Sequence, residues 1–225
     1  SQFFQKLFRA FKVFIPLALI VFIITTNVGF LTSASRIHDA LFDRHAVESR
    51  TGIALGDLRL VNKQILRYLA SGQEPLYVEA TVHGEPQPLF SNKEAAHMAD
   101  VKTLFRLTSL FQLGSGITLL VAILIALFWL KGAAFPVIAA WVRGGAITLV
   151  IFVVLIGLVS IVAFQPLFML FHQIGFRNDL WLLDPATDML VQIYPLGFWR
   201  DATIIIGALS LVQACILGTA AIMGL

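Results

Sequence analysis

Long uncharged runs alternate with polar stretches along this chain. Gln2 to Lys12 sets Lys6, Arg9 and Lys12 among phenylalanines and reads as a basic, interfacial lead-in. Val13 to Thr32 then carries no charge. At about 20 residues it is long enough to cross a ~30 Å hydrocarbon core as a helix, and it is too long and too poor in small-residue cleavage sites for a signal peptide. Leu110 to Leu130, Ala146 to Phe171 and Ala202 to Leu225 are further runs of that kind. The pattern predicts an α-helical polytopic membrane protein with four transmembrane helices. It divides as follows: 1–32, lead-in and first span; 33–100, an extracytoplasmic domain; 101–130, second span with its outer extension; 131–145, a cytoplasmic loop; 146–171, third span; 172–200, an extracytoplasmic loop; 201–225, fourth span.

Between spans 1 and 2 the pattern changes in kind. Leu55 to Leu69 repeats its apolar residues at three- and four-residue spacing and predicts an amphipathic helix. Leu76 to Val82 alternates, His83-Gly84 is a turn signal, and Gln87 to Phe90 predicts a short returning strand weakened by Pro86 and Pro88. The 33–100 segment therefore reads as a small α+β domain. Ser91-x-x-Glu94 has capping-box spacing, so a helix is expected from Asn92, running unbroken into the second span. Ser210, Ala214 and Gly218 stand four apart in the fourth span, a spacing that lets helices approach closely; packing within the chain is expected of them.

Composition agrees with the pattern: 58% of the 225 residues are hydrophobic and 13% charged, outside the range of a disordered chain and of an ordinary soluble domain. The one cysteine, Cys215, lies in an apolar run, so there is no disulfide framework and no cysteine metal site. A net charge of +3 offers no nucleic-acid patch. The chain opens on Ser1, so a trimmed or replaced start is expected. Positive charge before span 1, with Lys131 and Arg143 between spans 2 and 3, puts both termini in the cytoplasm. The domain and the 172–200 loop then share the outer face.

That arrangement gathers ionisable residues at one surface. Glu94 and Asp100 each stand three residues from His97, near one helix face, with Lys102 beyond. Across from them come His172, Arg177, Asp179, Asp184 and Asp188, with Tyr194 in the same loop. Some have plainer readings. Glu94 can serve Ser91 as a capping partner, Asp184 before Pro185 can cap a helix, and Trp181, Tyr194 and Trp199 can form an aromatic belt. Lys102 and Arg177 can be solvated charges. His38, His45 and His83 show no convergent partners and are expected at the surface. His97 and His172 stand out, because ionisable groups near membrane depth are costly and default to function.

Two blocks carry a resemblance. Leu89-Phe90-Ser91, Glu94, His97-Met98-x-Asp100-Val101-Lys102 forms the first. Phe171-His172, Phe176, Trp181, Leu183-Asp184-Pro185, Asp188, Pro195 and Phe198-Trp199 form the second. Together they resemble the signature blocks of the bacterial lipoprotein intramolecular transacylases, and the likeness extends over most of the chain. Leu196 is apolar where relatives are expected to be acidic. The resemblance implies transfer of the sn-2 acyl chain of a diacylglyceryl-cysteine lipoprotein to the α-amino group of that cysteine, giving the lyso form. It implies a multi-pass protein of the bacterial cytoplasmic membrane with its site at the outer face. The partners it implies are a diacylated lipoprotein and membrane lipids, and a monomer is expected. It matches His97 and His172 to the family's functional histidines, and casts Glu94, Asp100, Lys102, Arg177, Asp184, Asp188 and Tyr194 as supporting or substrate-orienting. No cofactor and no metal are implied.

The chemistry is also readable from the residue types. An α-amino group with a pKa of about 7.7–8.0 can give its proton to an imidazole near 6.5, and a departing glycerol oxygen needs one back. No Gly-x-Ser-x-Gly elbow is present, and none is required. Arg177, Lys102 or a backbone N–H can stabilise the oxyanion. Two other classes compete: a membrane metallohydrolase holding a metal on Glu94, His97 and His172, though without a His-Glu-x-x-His motif, and a non-catalytic membrane scaffold or receptor.

Overall fold

A computed structural model describes residues 2–72 and 74–224; of residues 2–10 it describes the backbone alone, so the side chains of Lys6 and Arg9 lie outside the described residues. Nine α-helices and one β-hairpin follow in order among those residues: α1 (Gln2–Ser33), α2 (Ser35–Arg44), α3 (Val47–Thr51), α4 (Leu55–Ala70), β1 (Glu79–Val82), β2 (Glu85–Pro88), α5 (Asn92–Leu130), a 3-10 turn (Lys131–Ala133), α6 (Ala134–Val162), α7 (Phe164–Gly175), α8 (Met189–Ile193) and α9 (Leu196–Met223). Among the described residues three helical stretches, not the expected four, are long and apolar enough to cross a membrane: Phe11–Ser33, Asn92–Val162 and Leu196–Met223. The chain packs as two units, one built from the residues up to Gly29, Thr108–Leu158 and the residues from Ile205, the other from Phe30–Leu107 and Val159–Ile204.

In the first unit, contacts fix the direction of each helix. Gln112 donates to Thr26 at 3.0 Å, Gly116 lies against Phe22, and Ala122 and Ala126 cluster with Ile15. Rising numbers in α5 meet falling numbers in α1, so the two are antiparallel. Trp141 meets Phe11 edge-on at 5.8 Å, and Leu149 and Val153 cluster with Ile23, so α6 runs parallel to α1. The second apolar stretch therefore reverses within itself, at Lys131, whose φ of 46° is left-handed. Gly207 faces Val153 and Gly218 faces Ala146, which makes α9 antiparallel to α6. The result is four helical segments of alternating direction.

Small residues allow this closeness. A Cβ on Gly145 would stand 2.8 Å from the Leu19 side chain and 3.3 Å from the Pro16 Cα. The Ser210, Ala214 and Gly218 stripe packs inside the unit: Ser210 and Ala214 are buried and Gly218 meets Ala146. Asn27, 2% exposed, donates to Ser210 at 2.9 Å and to Gln213 at 2.8 Å, a polar tie of the sort that joins helices in apolar surroundings. Outward-facing Leu120, Ile151 and Leu155 stay exposed, as surface meant for lipid does.

Two sequence expectations change here. Helix α6 begins at Ala134, so the reversal takes only residues 131–133 of the expected 131–145 connection. Pro136 sits in the first turn of α6, where a missing N–H costs nothing. The expected third span over 146–171 is not one helix. It stops at Val162 and restarts at Phe164, with Ala163 (φ −141°, ψ 48°) between. Pro166 explains the break: it lacks the N–H that would bond the carbonyl of residue 162, and its ring collides with that carbonyl.

The second unit holds the 33–100 segment together with residues 159–204, so the expected outer domain does not pack alone. Helix α4 buries Leu58, Val61, Asn62, Ile65, Tyr68 and Leu69 along one stripe, as its spacing predicts. The hairpin turns at His83 (φ 51°) and Gly84 (φ 89°), the left-handed pair that matches strand twist. Pro86 and Pro88, paired with Thr81 and Glu79, deny the exposed β2 two of its amide donors. The centre is Phe42, Val47, Ile53, Leu58, Val61 and Ile193, each at most 1% exposed.

Candidate active site

A largely apolar cavity of about 220 Å³ opens within the second unit. Helix α5 brings His97 to it in its second turn, and α7 brings His172 near its end. The two rings stand 6.2 Å apart, centroid to centroid, with planes inclined at 34°. Both are buried, at 6% and 8% exposure.

His172 is held from several sides. Its Nδ1 lies 2.8 Å from the Phe168 carbonyl one turn back. A carbonyl only accepts, so Nδ1 carries the hydrogen and Nε2 keeps its lone pair. The rings of Phe168 (4.2 Å), Trp181 (5.2 Å), Phe171 (5.3 Å) and Phe176 (5.4 Å) surround the imidazole. Burial pushes its pKa below the ordinary histidine value, partly opposed by the bond to Phe168. His97 meets Phe176 edge-on at 5.1 Å, and its Nδ1 is buried without a hydrogen-bond partner. A buried orphan nitrogen on a cavity wall is costly unless something binds there.

The acidic residues act chiefly on backbone. Glu94, 2% exposed, completes the capping box by accepting from the Ser91 amide at 2.7 Å, while its other oxygen accepts from the Leu190 amide of α8 at 2.8 Å. Both carboxylate oxygens are thus committed. Asp100 accepts from the Asn178 side-chain amide at 2.9 Å. Asp184 receives the Ala186 amide and closes a single turn instead of starting a helix; Asp188, the residue before α8, accepts from the Asp184 amide at 2.7 Å. Pro185 followed by only two residues leaves no room for a helix before Asp188 restarts the chain.

The two cations suggested for an oxyanion lie elsewhere. Lys102 is 1% exposed, with its ammonium 4.1 Å from the centre of the Tyr68 ring and 4.0 Å from Glu74. Arg177 is exposed. Neither lines the cavity. Tyr194 does line it; its hydroxyl donates to Asn62 Oδ1 at 2.8 Å, and burial raises its pKa.

Two histidines expected at the surface are not there. His38 is buried on the same cavity wall, with Nδ1 3.0 Å from Asn62 Oδ1 and Nε2 2.9 Å from the Leu31 carbonyl. His45 bonds Asp201 at 3.0 Å, in a cluster with Arg44 and Arg200. Only His83 is exposed. Sequence reading missed the Tyr194–Asn62–His38 chain. Its signal was present: His38 and Asn62 each interrupt an apolar helix stripe, beside Leu41–Phe42 and Val61–Ile65. Among the described residues no three His, Cys, Asp or Glu side chains converge to hold a metal. Glu94, the carboxylate such a centre would need, already binds two amides.

A family model described as lipoprotein intramolecular transacylase Lit matches residues 13–199. Among solved structures, the membrane integral lipoprotein intramolecular transacylase Lit from Bacillus cereus superposes with a TM-score of 0.80 at 15% identity, over 98% of this chain and 96% of that one. A form of the same protein with one histidine replaced by arginine gives 0.78 at 15% identity, over 99% and 94%. Another with one histidine replaced by alanine gives 0.78 at 16%, over 99% and 95%. At such identities the likeness shows a shared fold. No curated protein matches the sequence.

Proposed function

The chain belongs to the lipoprotein intramolecular transacylase family of membrane acyltransferases, and we propose that it moves the sn-2 acyl chain of a diacylglyceryl-cysteine lipoprotein to the α-amino group of the same cysteine. The observation that carries this reading is the pair of buried imidazoles, 6.2 Å apart on one apolar cavity, with a free Nε2 on His172 and an unpartnered Nδ1 on His97.

The amine attacks the ester carbonyl carbon. A C–N bond forms, the C–O bond to glycerol breaks, and one proton passes from nitrogen to the glycerol oxygen. His172 is the base: Nδ1–H, tied to Phe168, presents Nε2 to the amine. The imidazolium so formed then returns the proton to the departing oxygen, as one histidine serves both halves of other acyl transfers. His97 supplies the hydrogen bond to the carbonyl oxygen as charge gathers there, a task for Lys102 and Arg177 only if they lined the cavity, which neither does. Nucleophile and ester share one molecule, so the site need only hold a productive conformation. Glu94, Asp100, Asp184 and Asp188 are positioning residues that fix the 176–190 segment beside the histidines.

Four helical segments of alternating direction support four membrane spans with both termini cytoplasmic, because Lys12, Lys131 and Arg143 then share one side. The histidines belong to the outer side. The cavity walls suit acyl chains, and a diacylglyceryl group leaves lipid only at high cost.

The test is His97→Ala and His172→Ala in purified protein given a diacylated lipopeptide. Each should lose activity by about 10²–10⁴-fold, while the double variant is little worse than the weaker single one, since groups acting together are not additive. Normal transfer by either single variant removes that residue from the mechanism.

A further inference from the structure

We propose that Trp181 sets the chemical selectivity of the site: it keeps water from His172, so that the substrate amine and not water receives the acyl group. The inference rests on the acyl-transfer reading above. Imidazole chemistry does not itself exclude hydrolysis, because Nε2 can assist water as a general base just as it assists an amine. In hydrolysis, water adds its oxygen to the acyl carbon, the C–O bond to glycerol breaks, and the proton ends on the glycerol oxygen, giving a free fatty acid. Excluding water from a closed site is a recognised way to suppress such side reactions.

The four rings around His172 differ in origin. Phe168 and Phe171 stand on its own helix, and Phe176 ends it. Trp181 alone comes from the segment beyond, and that segment is tied to α5 on both sides of it. Before it, Asn178 donates to Asp100 at 2.9 Å. After it, the Lys93 ammonium donates to the Leu182 carbonyl, and the Leu190 amide donates to Glu94 at 2.8 Å. Three ties are more than a turn needs. They hold one broad apolar ring 5.2 Å from His172, and Trp181, itself partly exposed, reaches both the imidazole and solvent.

The experiment uses the full chain in phospholipid vesicles, a diacylated lipopeptide, and water enriched in heavy oxygen, which enters fatty acid only through hydrolysis. Wild type should give N-acyl lipopeptide with a trace of labelled fatty acid. Trp181→Ala should raise the ratio of hydrolysis to transfer about tenfold or more, the scale on which one apolar group in a pocket discriminates between reactants. Trp181→Phe should stay near wild type. Asn178→Ala, which cuts one tie and spares the ring, should shift the ratio in the same direction by less, and serves if Trp181→Ala does not fold. A fall in total turnover with an unchanged ratio in both variants would overturn the proposal and leave the transfer reading intact. A wild type that makes only labelled fatty acid would overturn both.

Discussion

Glu94 carries a stability prediction that separates a clamp from a catalyst. Its side chain is 2% exposed and accepts two backbone amides, from Ser91 at 2.7 Å and from Leu190 at 2.8 Å. Hydrogen bonds to a charged group contribute about 1.5–3 kcal/mol each, so Glu94→Ala should cost roughly 3–6 kcal/mol. Part of that is the Leu190 amide left buried without an acceptor. Glu94→Gln keeps one accepting oxygen and turns an NH2 toward the other amide, so it should cost about half as much. Unfolding of purified protein, followed by tryptophan fluorescence, reads the difference. At about 2–4 °C per kcal/mol for a chain of this length, Glu94→Ala should melt roughly 6–24 °C below wild type. Melting within a degree or two of wild type would refute the clamp. A Glu94→Gln variant with wild-type stability and no transfer would make Glu94 a participant in the chemistry instead.

The histidines make different predictions by position. His38→Ala leaves Asn62 with Tyr194 but takes the ring partner from the Leu31 carbonyl in a buried wall and should destabilise by about 1–3 kcal/mol, whereas exposed His83→Ala should melt like wild type; equal melting would refute the buried assignment. For pH, burial holds the His172 pKa below the ordinary value of about 6.5. The neutral base therefore survives below that pH, and its contribution is lost as pH falls through the lowered pKa; because the substrate α-amine, at about 7.7–8.0, sets its own acid limb on the rate, the check is direct NMR titration of the His172 ring, where a midpoint above about 6.5 would contradict the assignment. Topology is checked with single cysteines in a Cys215→Ser background: Asp57→Cys and Asp179→Cys should react with an impermeant thiol reagent on intact cells and Lys131→Cys should not, and the reverse pattern would invert the arrangement.

Local chemistry was legible in the sequence wherever neighbours decide the outcome. The α4 stripe, the His83-Gly84 turn and the Ser91–Glu94 capping box each depend on residues a few positions apart. Helix α5 runs from Asn92 as far as the second apolar run, because nothing in 92–130 interrupts it. The break at Ala163 was hidden by the hydropathy of its surroundings, although Pro166 announced it. What the sequence could not reveal was who meets whom across long separations. Glu94 looked like a local cap, and half of its work is for Leu190, 96 residues on. Lys102 looked like a solvated charge or an oxyanion donor, and it packs on Tyr68 instead. His38 and His45 looked unpartnered because Asn62 and Asp201 lie 24 and 156 residues away. The closeness of His97 and His172 followed from topology, but the aromatic enclosure that distinguishes His172 required coordinates.

The proposed reaction shifts one acyl chain within one molecule. The most direct measurement is tandem mass spectrometry of a synthetic diacylglyceryl-cysteine lipopeptide after incubation with the purified protein in vesicles. Transfer leaves the total mass unchanged. Fragmentation should show the amino-terminal cysteine carrying one acyl chain on nitrogen and the glyceryl group retaining one. Substrate that keeps both chains on glycerol, or loses one as free fatty acid, would contradict the account.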